Sequence, residues 1–215
     1  MNILLNKLST LAYFTSGTLA QYFGDSKKAN IYTSRWVTSG WIIRIKKGYY
    51  VTSDYIQKIK YQGKFEPRKN YILTYILYPN SYISLENILS FNQIIPEQTY
   101  TIGLITKNKG LTIKNNLFTA TYRNIKEDLF RGYHIVQKQG DLPYILAYPE
   151  KALVDRLRLQ KPIRELSRFE NLRLNLGKDI LNITRFEGYI ARCNSNKMNR
   201  ILSFLQTLDG YGTDR

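Results

Sequence analysis

TSGTLAQYFGDSKKANIYTSRWVTSGWIIRIKKGYYV, residues 15–51, is the stretch whose reading decides the fold. Thr15 or Ser16 can cap a helix whose inner side is Leu19, Ala20, Tyr22 and Phe23. Gly24 can take the left-handed backbone conformation that ends a helix, and Asp25-Ser26 then supplies an N-cap for the next one. That next helix, about Ser26 to Ser39, sorts its residues into two faces. Ala29, Tyr32, Thr33, Trp36 and Val37 share the inner face, and Lys27, Lys28, Ile31, Ser34, Arg35 and Thr38 share the outer one. Gly40 stops the helix. Trp41 to Ile45 is a β-branched, aromatic run, Lys46-Lys47-Gly48 a turn, and Tyr49 to Val51 a returning strand. A helix, a glycine turn, a cationic helix and a hairpin with a cationic tip, in that order, predict a winged helix-turn-helix.

Working outward, Ile3, Leu4, Leu8, Leu11 and Ala12 recur at helical spacing and predict a preceding helix, so the module is placed at residues 1–63. Its first sixty residues hold nine Lys and Arg against Asp25 and Asp54, a local charge of +7, while the remaining 155 carry +9. An acid-poor module of this shape is where duplex DNA is expected to bind. In the major groove Arg35 would meet a base edge, and Lys27, Lys28 and Ser34 phosphates or base edges. Arg44, Lys46, Lys47 and Tyr49 on the hairpin would lie along the sugar-phosphate backbone, where cations release counterions. An ordinary amphipathic surface helix has the same two-faced pattern; the hairpin that follows is what favours DNA.

Composition agrees with a folded, basic protein. The 215 residues carry 32 Lys+Arg and 16 Asp+Glu, a formal net charge of +16, yet 43% are hydrophobic, which excludes a disordered polybasic tail. The single cysteine, Cys193, excludes an intramolecular disulfide and a cysteine-only metal cage. Asn6, Lys7, Ser9 and Thr10 interrupt the opening apolar run, so no signal peptide is read there, and a cytoplasmic location away from membranes is expected.

The region 64–215 reads as a larger α+β domain with a mainly antiparallel sheet and C-terminal helices. The polar stretch from Thr52 to Asn70 is a linker or short connecting helix with the boundary near residue 64. A helix is expected over Arg68–Tyr78, with Tyr71, Ile72, Tyr75, Ile76 and Leu77 inside, and another over Ser84–Phe91, capped by Ser84. Strands follow at Tyr100–Thr106, Leu111–Ile113, Leu117–Tyr122, Tyr133–Gln137 and Pro143–Ala147. Pro149-Glu150 begins a helix to Leu159, and three helical segments follow before a frayed DGYGTDR.

Catalytic chemistry needs groups that titrate, coordinate or attack, and few are present. His134, the only histidine, sits on a strand and reads as a hydrogen-bonded structural residue. Cys193 lies between Arg192 and Asn194, where neighbouring charge could stabilise a thiolate. Glu150 and Asp155 resemble a fragment of a nuclease carboxylate set, although an acidic residue is expected at a helix start anyway. With no phosphate-cradling glycine loop either, the sequence predicts no enzyme, no metal and no cofactor. Most of the 18 tyrosines fall at apolar-periodic positions, and Tyr49 is the one placed beside a candidate nucleic-acid surface.

The string YFTSGTLAQYFG…IYTSRWVTSGWIIRIKKGYYV resembles the N-terminal winged helix of AbiEi-type antitoxins. SYISLENILSFNQIIPE is similar to that family's strand-helix segment, and YPEKALVDRL to its Pro-Glu-Lys-Ala-Leu-x-Asp helix; together these cover about residues 10–160. The resemblance implies a type IV toxin–antitoxin, abortive-infection system. The winged helix would repress the protein's own operon at inverted repeats, and the larger domain would counter a nucleotidyltransferase-like toxin without necessarily touching it. Carried over by position, Lys27, Lys28, Ser34, Arg35, Arg44, Lys46, Lys47 and Tyr49 would contact DNA. The chain departs from the family's common form in its high Tyr and Asn content and a short C-terminal region. A basic protein- or RNA-interaction module, using the winged helix for docking, is the alternative, and a nuclease a third.

Overall fold

The computed structural model describes residues 3–176 and 180–207, so the DGYGTDR tail lies outside the described residues. The chain is mixed α and β and divides into two compact units. The first comprises Met1–Pro79, Ile113–Thr119 and Gln137–Tyr144; the second comprises Asn80–Thr112, Ala120–Val136 and Ile145–Arg215.

The first unit runs α1 (Ile3–Leu8), β1 (Phe14–Thr15), α2 (Ser16–Phe23), α3 (Ser26–Thr38), β2 (Ile42–Lys46), β3 (Tyr49–Thr52), α4 (Ser53–Tyr61) and α5 (Phe65–Tyr71). Local chemistry sets most of these bounds. The Thr15 hydroxyl accepts from the Thr18 amide at 3.2 Å while the Thr18 hydroxyl accepts from the Thr15 amide at 3.3 Å, closing a capping box on α2. Gly24 ends α2 at φ 66°, and the Asp25 carboxylate caps α3 by accepting from the Lys27 amide at 2.7 Å. The small sheet has the order β1-β3-β2, with Phe14 opposite Tyr50 and Ile42 opposite Thr52. Its core joins Leu4, Leu5, Leu8, Phe14, Leu19, Ala29, Trp36, Ile42 and Tyr50.

Several expectations change in this unit, and Tyr22 and Val37, read as inner positions of α2 and α3, are exposed. Helix α1 turns Leu5 inward and leaves Ile3 exposed; it ends at Leu8, where the Ser9 and Thr10 hydroxyls bond back to the Asn6 and Lys7 carbonyls, and Leu11 beyond it is exposed. Of the two readings of the polar stretch after Val51, the helix is the one observed: α4 is capped by the Thr52 hydroxyl and buries Tyr55, Ile56 and Ile59. The first unit accordingly continues past residue 64, to Pro79. Beyond α5 the backbone widens into a π-helix, Ile72–Leu77, which buries Ile72, Leu73, Thr74 and Leu77. The extra residue per turn rotates the inner face away from Tyr75 and Ile76.

The second unit and the strands bordering it contain β4 (Ser81–Ile83), α6 (Glu86–Phe91), β5 (Thr101–Thr106), β6 (Leu111–Lys114), β7 (Thr119–Asn124), β8 (Tyr133–Val136), β9 (Tyr144–Ala147), α7 (Pro149–Leu159), α8 (Leu166–Glu170), α9 (Ile183–Arg192) and α10 (Asn196–Gln206). The six-stranded sheet has the order β6-β7-β5-β4-β9-β8. Strand β4 pairs antiparallel with β5, Ser81 opposite Thr106, and parallel with β9, Ile83 opposite Leu146. Five consecutive residues of β5 are buried, as a strand covered on both faces requires. Helix α7 is buried over most of its circumference, its Ala152, Leu153, Val154 and Leu157 all inside.

Ser84 does not cap α6. Leu85 takes the cap position at φ 59° with no side-chain bond, and the Ser84 hydroxyl donates instead to Asp155. The Asn87 side-chain carbonyl accepts from the Gly103 amide at 2.6 Å. Among the described residues no helix is long and apolar enough to cross a membrane.

Candidate nucleic-acid interface

Helix α3 is held from its inner side. Trp36 and Ala29 are buried, the Thr33 hydroxyl donates to the Ala29 carbonyl at 2.7 Å, and Tyr32 stacks on Phe23 with ring centroids 4.7 Å apart. This packing leaves Lys27, Lys28, Ser34 and Arg35 exposed, with Ile31 53% exposed among them. The Lys28 ammonium lies 5.8 Å from the Phe23 ring centroid, which limits its freedom without covering it. Arg35 stands in the last turn, where its charge complements the helix dipole. The four residues singled out on this helix therefore share one solvent-facing surface.

The hairpin treats its residues unequally. Its tip is strapped to the start of α2, the Ser16 amide donating to the Gly48 carbonyl at 3.0 Å. Lys47 and Arg44 are exposed, Arg44 lying opposite Tyr50 in the ladder. Lys46, next to Lys47 in sequence, is turned away: its ammonium donates to the Leu77 carbonyl at 2.9 Å and sits 5.7 Å from the Tyr78 ring and 5.9 Å from the Tyr49 ring. Tyr49 is half-buried, its ring 6.2 Å from that of Tyr13. The sequence groups Lys46 and Tyr49 with Lys47; the structure brings Lys27, Lys28, Ser34, Arg35, Arg44 and Lys47 to solvent and gives Lys46 and Tyr49 partners within the unit.

In the second unit the motif YPEKALVDRL makes a buried polar cluster. Asp155 is 1% exposed and Lys151 and Glu150 each 3%. One Asp155 oxygen pairs with the Lys151 ammonium, and the other accepts from the Ser84 hydroxyl at 2.9 Å and the Tyr82 hydroxyl at 3.1 Å. Burial pushes the Asp155 carboxyl up, and Lys151 and the two hydroxyls oppose it. Burial and the adjacent Asp155 charge push the Tyr82 phenol upward, so it remains a donor. Glu150 accepts from the Asn182 amide at 2.8 Å and pairs with Arg185 at 3.5 Å. Arg185 also lies 4.6 Å from the Tyr148 ring, which His134 stacks upon at 4.8 Å.

Glu150 is thus a tether to the start of α9, and both carboxylates of the nuclease-like fragment are buried and bonded, Asp155 to buried partners and Glu150 to the exposed Asn182 and Arg185. Among the described residues no group of three or more His, Cys, Asp or Glu could hold a metal. His134 reads as a hydrogen-bonded structural residue, but it stacks on Tyr148 and its Nδ1 is buried without a partner; burial lowers its imidazole pKa. Cys193 donates to the Tyr189 carbonyl at 3.4 Å, and burial pushes its thiol up, against the thiolate reading. Sequence reasoning missed the cluster, although one signal was present: Lys151 and Asp155 stand four apart on a helix whose other positions there are Ala, Leu and Val. No protein-family model and no curated protein matches this chain.

Proposed function

We propose that the first unit is a winged helix-turn-helix that binds duplex DNA, and that the protein is a non-enzymatic autorepressor and antitoxin of a type IV system. One observation carries the DNA reading. Helix α3 displays Lys27, Lys28, Ser34 and Arg35 to solvent immediately before a hairpin whose tip carries Lys47, and β1 completes the order β1-β3-β2 that fixes the hairpin to α2. Arg35 and Ser34 would read base edges, and Lys27, Lys28, Arg44 and Lys47 would neutralise phosphates. The antitoxin role is supported by the resemblance of the wing and the YPEKALVDRL helix, and its partner would be a nucleotidyltransferase-like toxin.

The test is a titration of the protein's own promoter across a salt series. With Arg35 also near the backbone, these cations predict a log–log slope of about −4 to −5. Binding that ignores salt overturns the reading. Arg35→Ala should weaken binding and relax base preference at one position, by about 1–3 kcal/mol. The antitoxin role is checked by growth rescue of cells expressing the neighbouring gene.

Exposed Ile31 and Val37 on α3 favour a second reading, in which this helix docks on a protein. On the DNA reading Ile31 meets a thymine methyl. If Ile31→Ser abolishes rescue while promoter binding is unchanged, docking is correct.

A further inference from the structure

The second unit holds a cleft bounded by the C-terminal halves of α7 and α9, and Arg131, Arg158 and Arg192 all line it. Among the described residues none of these three arginines is paired with a carboxylate. The acid at the bottom of the cleft, Asp155, is already covered by Lys151, Ser84 and Tyr82. Three guanidiniums with free donors around a neutralised floor make a surplus of positive charge at one point. Arg158 acts as a positive charge on Cys193 and Lys197, lowering the pKa of each, although burial is the larger effect on both and Asp155 and Asp128 oppose it at Cys193.

The walls are fixed. Arg131 precedes Gly132, which at φ +76° comes so close to Tyr189 and Lys151 that a Cβ would fall 2.8 Å from the Tyr189 ring and 2.9 Å from the Lys151 side chain. The Tyr148 amide donates to the Gly132 carbonyl at 3.0 Å. Lys197, donating to the Arg158 and Gln160 carbonyls at 2.8 and 2.5 Å, secures the end of α7 that carries Arg158. With the backbone held at Arg158 and beside Arg131, planar arginine forks suit phosphate oxygens better than lysines do.

Size places the ligand at the mouth of the cleft. The floor is apolar, from Ile125, Leu129 and Val154, and the enclosed space is about 10 Å³, room for roughly one water. A base, a sugar and a phosphate all exceed that volume, so a ligand is held at the mouth, where the guanidiniums favour its phosphate. We propose that Arg131, Arg158 and Arg192 form a phosphate-binding site, independent of the DNA surface of the first unit. The phosphate belongs either to a small ester such as a nucleotide or to a nucleic-acid backbone.

The test follows the arginine side-chain N–H resonances of the full-length chain. Inorganic phosphate, AMP, adenosine and a non-operator single-stranded oligonucleotide are titrated in turn at constant ionic strength. Perturbation of Arg131, Arg158 and Arg192 by phosphate and AMP but not adenosine supports the site with a small ester as ligand. Perturbation by the oligonucleotide alone supports it with a backbone phosphate. In either case Arg192→Gln should weaken binding about tenfold, the order of one charge-assisted pair, whereas Arg200→Gln, exposed elsewhere in this unit, should not. No perturbation by any probe, or equal loss in the two variants, overturns the proposal. Arg35→Ala leaves this result unchanged, so the site and the promoter reading fail separately.

Discussion

The Lys46 ammonium donates to the carbonyl oxygen of Leu77, 31 residues further along the chain, at 2.9 Å. The acceptor ends the π-helix, where carbonyls lack partners within the helix. A cation that reads as part of the hairpin tip is therefore a clasp inside the first unit. Lys47 beside it has no such bond and remains exposed.

Lys46→Ala and Lys47→Ala should consequently differ in kind. Losing a charged donor to a half-buried carbonyl costs about 1–2 kcal/mol of stability. Both tryptophans, Trp36 and Trp41, lie in the first unit, so their fluorescence during urea unfolding reports this loss. Lys47→Ala should leave stability within about 0.5 kcal/mol, as exposed substitutions do. It should instead reduce the salt slope of promoter binding by about 1. If Lys46→Ala flattens the slope as much as Lys47→Ala, the clasp assignment is wrong.

The Asp155 cluster predicts strong non-additivity. Lys151→Met alone strands a buried carboxylate and Asp155→Leu alone strands a buried ammonium, each costing about 3–5 kcal/mol. The double variant replaces the pair with apolar groups and should cost far less than the sum of the singles. Hydrogen exchange of the α7 amides reads this locally, since the tryptophans report the other unit. Additive losses would show that the pair does not act as a unit.

The contrast between α3 and Asp155 explains what the sequence could disclose. The bounds of α3 depend on Gly24, Asp25 and Gly40, all within reach of the helix ends, and the expected range differs from the observed one by a single residue, Ser39. Likewise Pro149 marks the start of α7. The partners of Asp155 lie 71 and 73 residues away, and that of Lys46 lies 31 away; only the assembled units bring them together. For the same reason Ser84 looks like a cap locally, and the long-range carboxylate wins its hydroxyl. The cationic face of α3 was legible because amphipathic spacing alone assigns it. The arginine cleft was not, because Arg131, Arg158 and Arg192 come from separate segments with no common period.

His134 should couple stability to pH. Burial lowers its imidazole pKa from the ordinary value of 6.5, so the folded protein takes up the proton at lower pH than the unfolded chain does. The stability it contributes is present above pH 6.5 and is lost as pH falls through 6.5 toward the folded value. His134→Phe keeps a ring to stack on Tyr148 and cannot titrate. Its thermal midpoint should vary less between pH 7 and about 5.5 than that of the parent protein. Parallel profiles would mean that His134 is not the group responsible.

Gly132 and Gly140 adopt nearly the same backbone angle, φ +76° and +77°, yet differ in surroundings. At Gly140 nothing lies within 4 Å of a Cβ, so Gly140→Ala should cost only the left-handed strain, about 1–2 kcal/mol. At Gly132 a methyl group meets Tyr189 at 2.8 Å and Lys151 at 2.9 Å, so the same substitution adds overpacking of about 1–3 kcal/mol. Shortening the obstacle should recover part of that excess. Gly132→Ala combined with Tyr189→Leu is expected to be more stable than the sum of the two single losses, with coupling of about 0.5–3 kcal/mol. Thermal unfolding of the four variants decides it: equal losses for the two alanine substitutions, or strict additivity with Tyr189→Leu, would show that the loop carrying Arg131 is not wedged against α9.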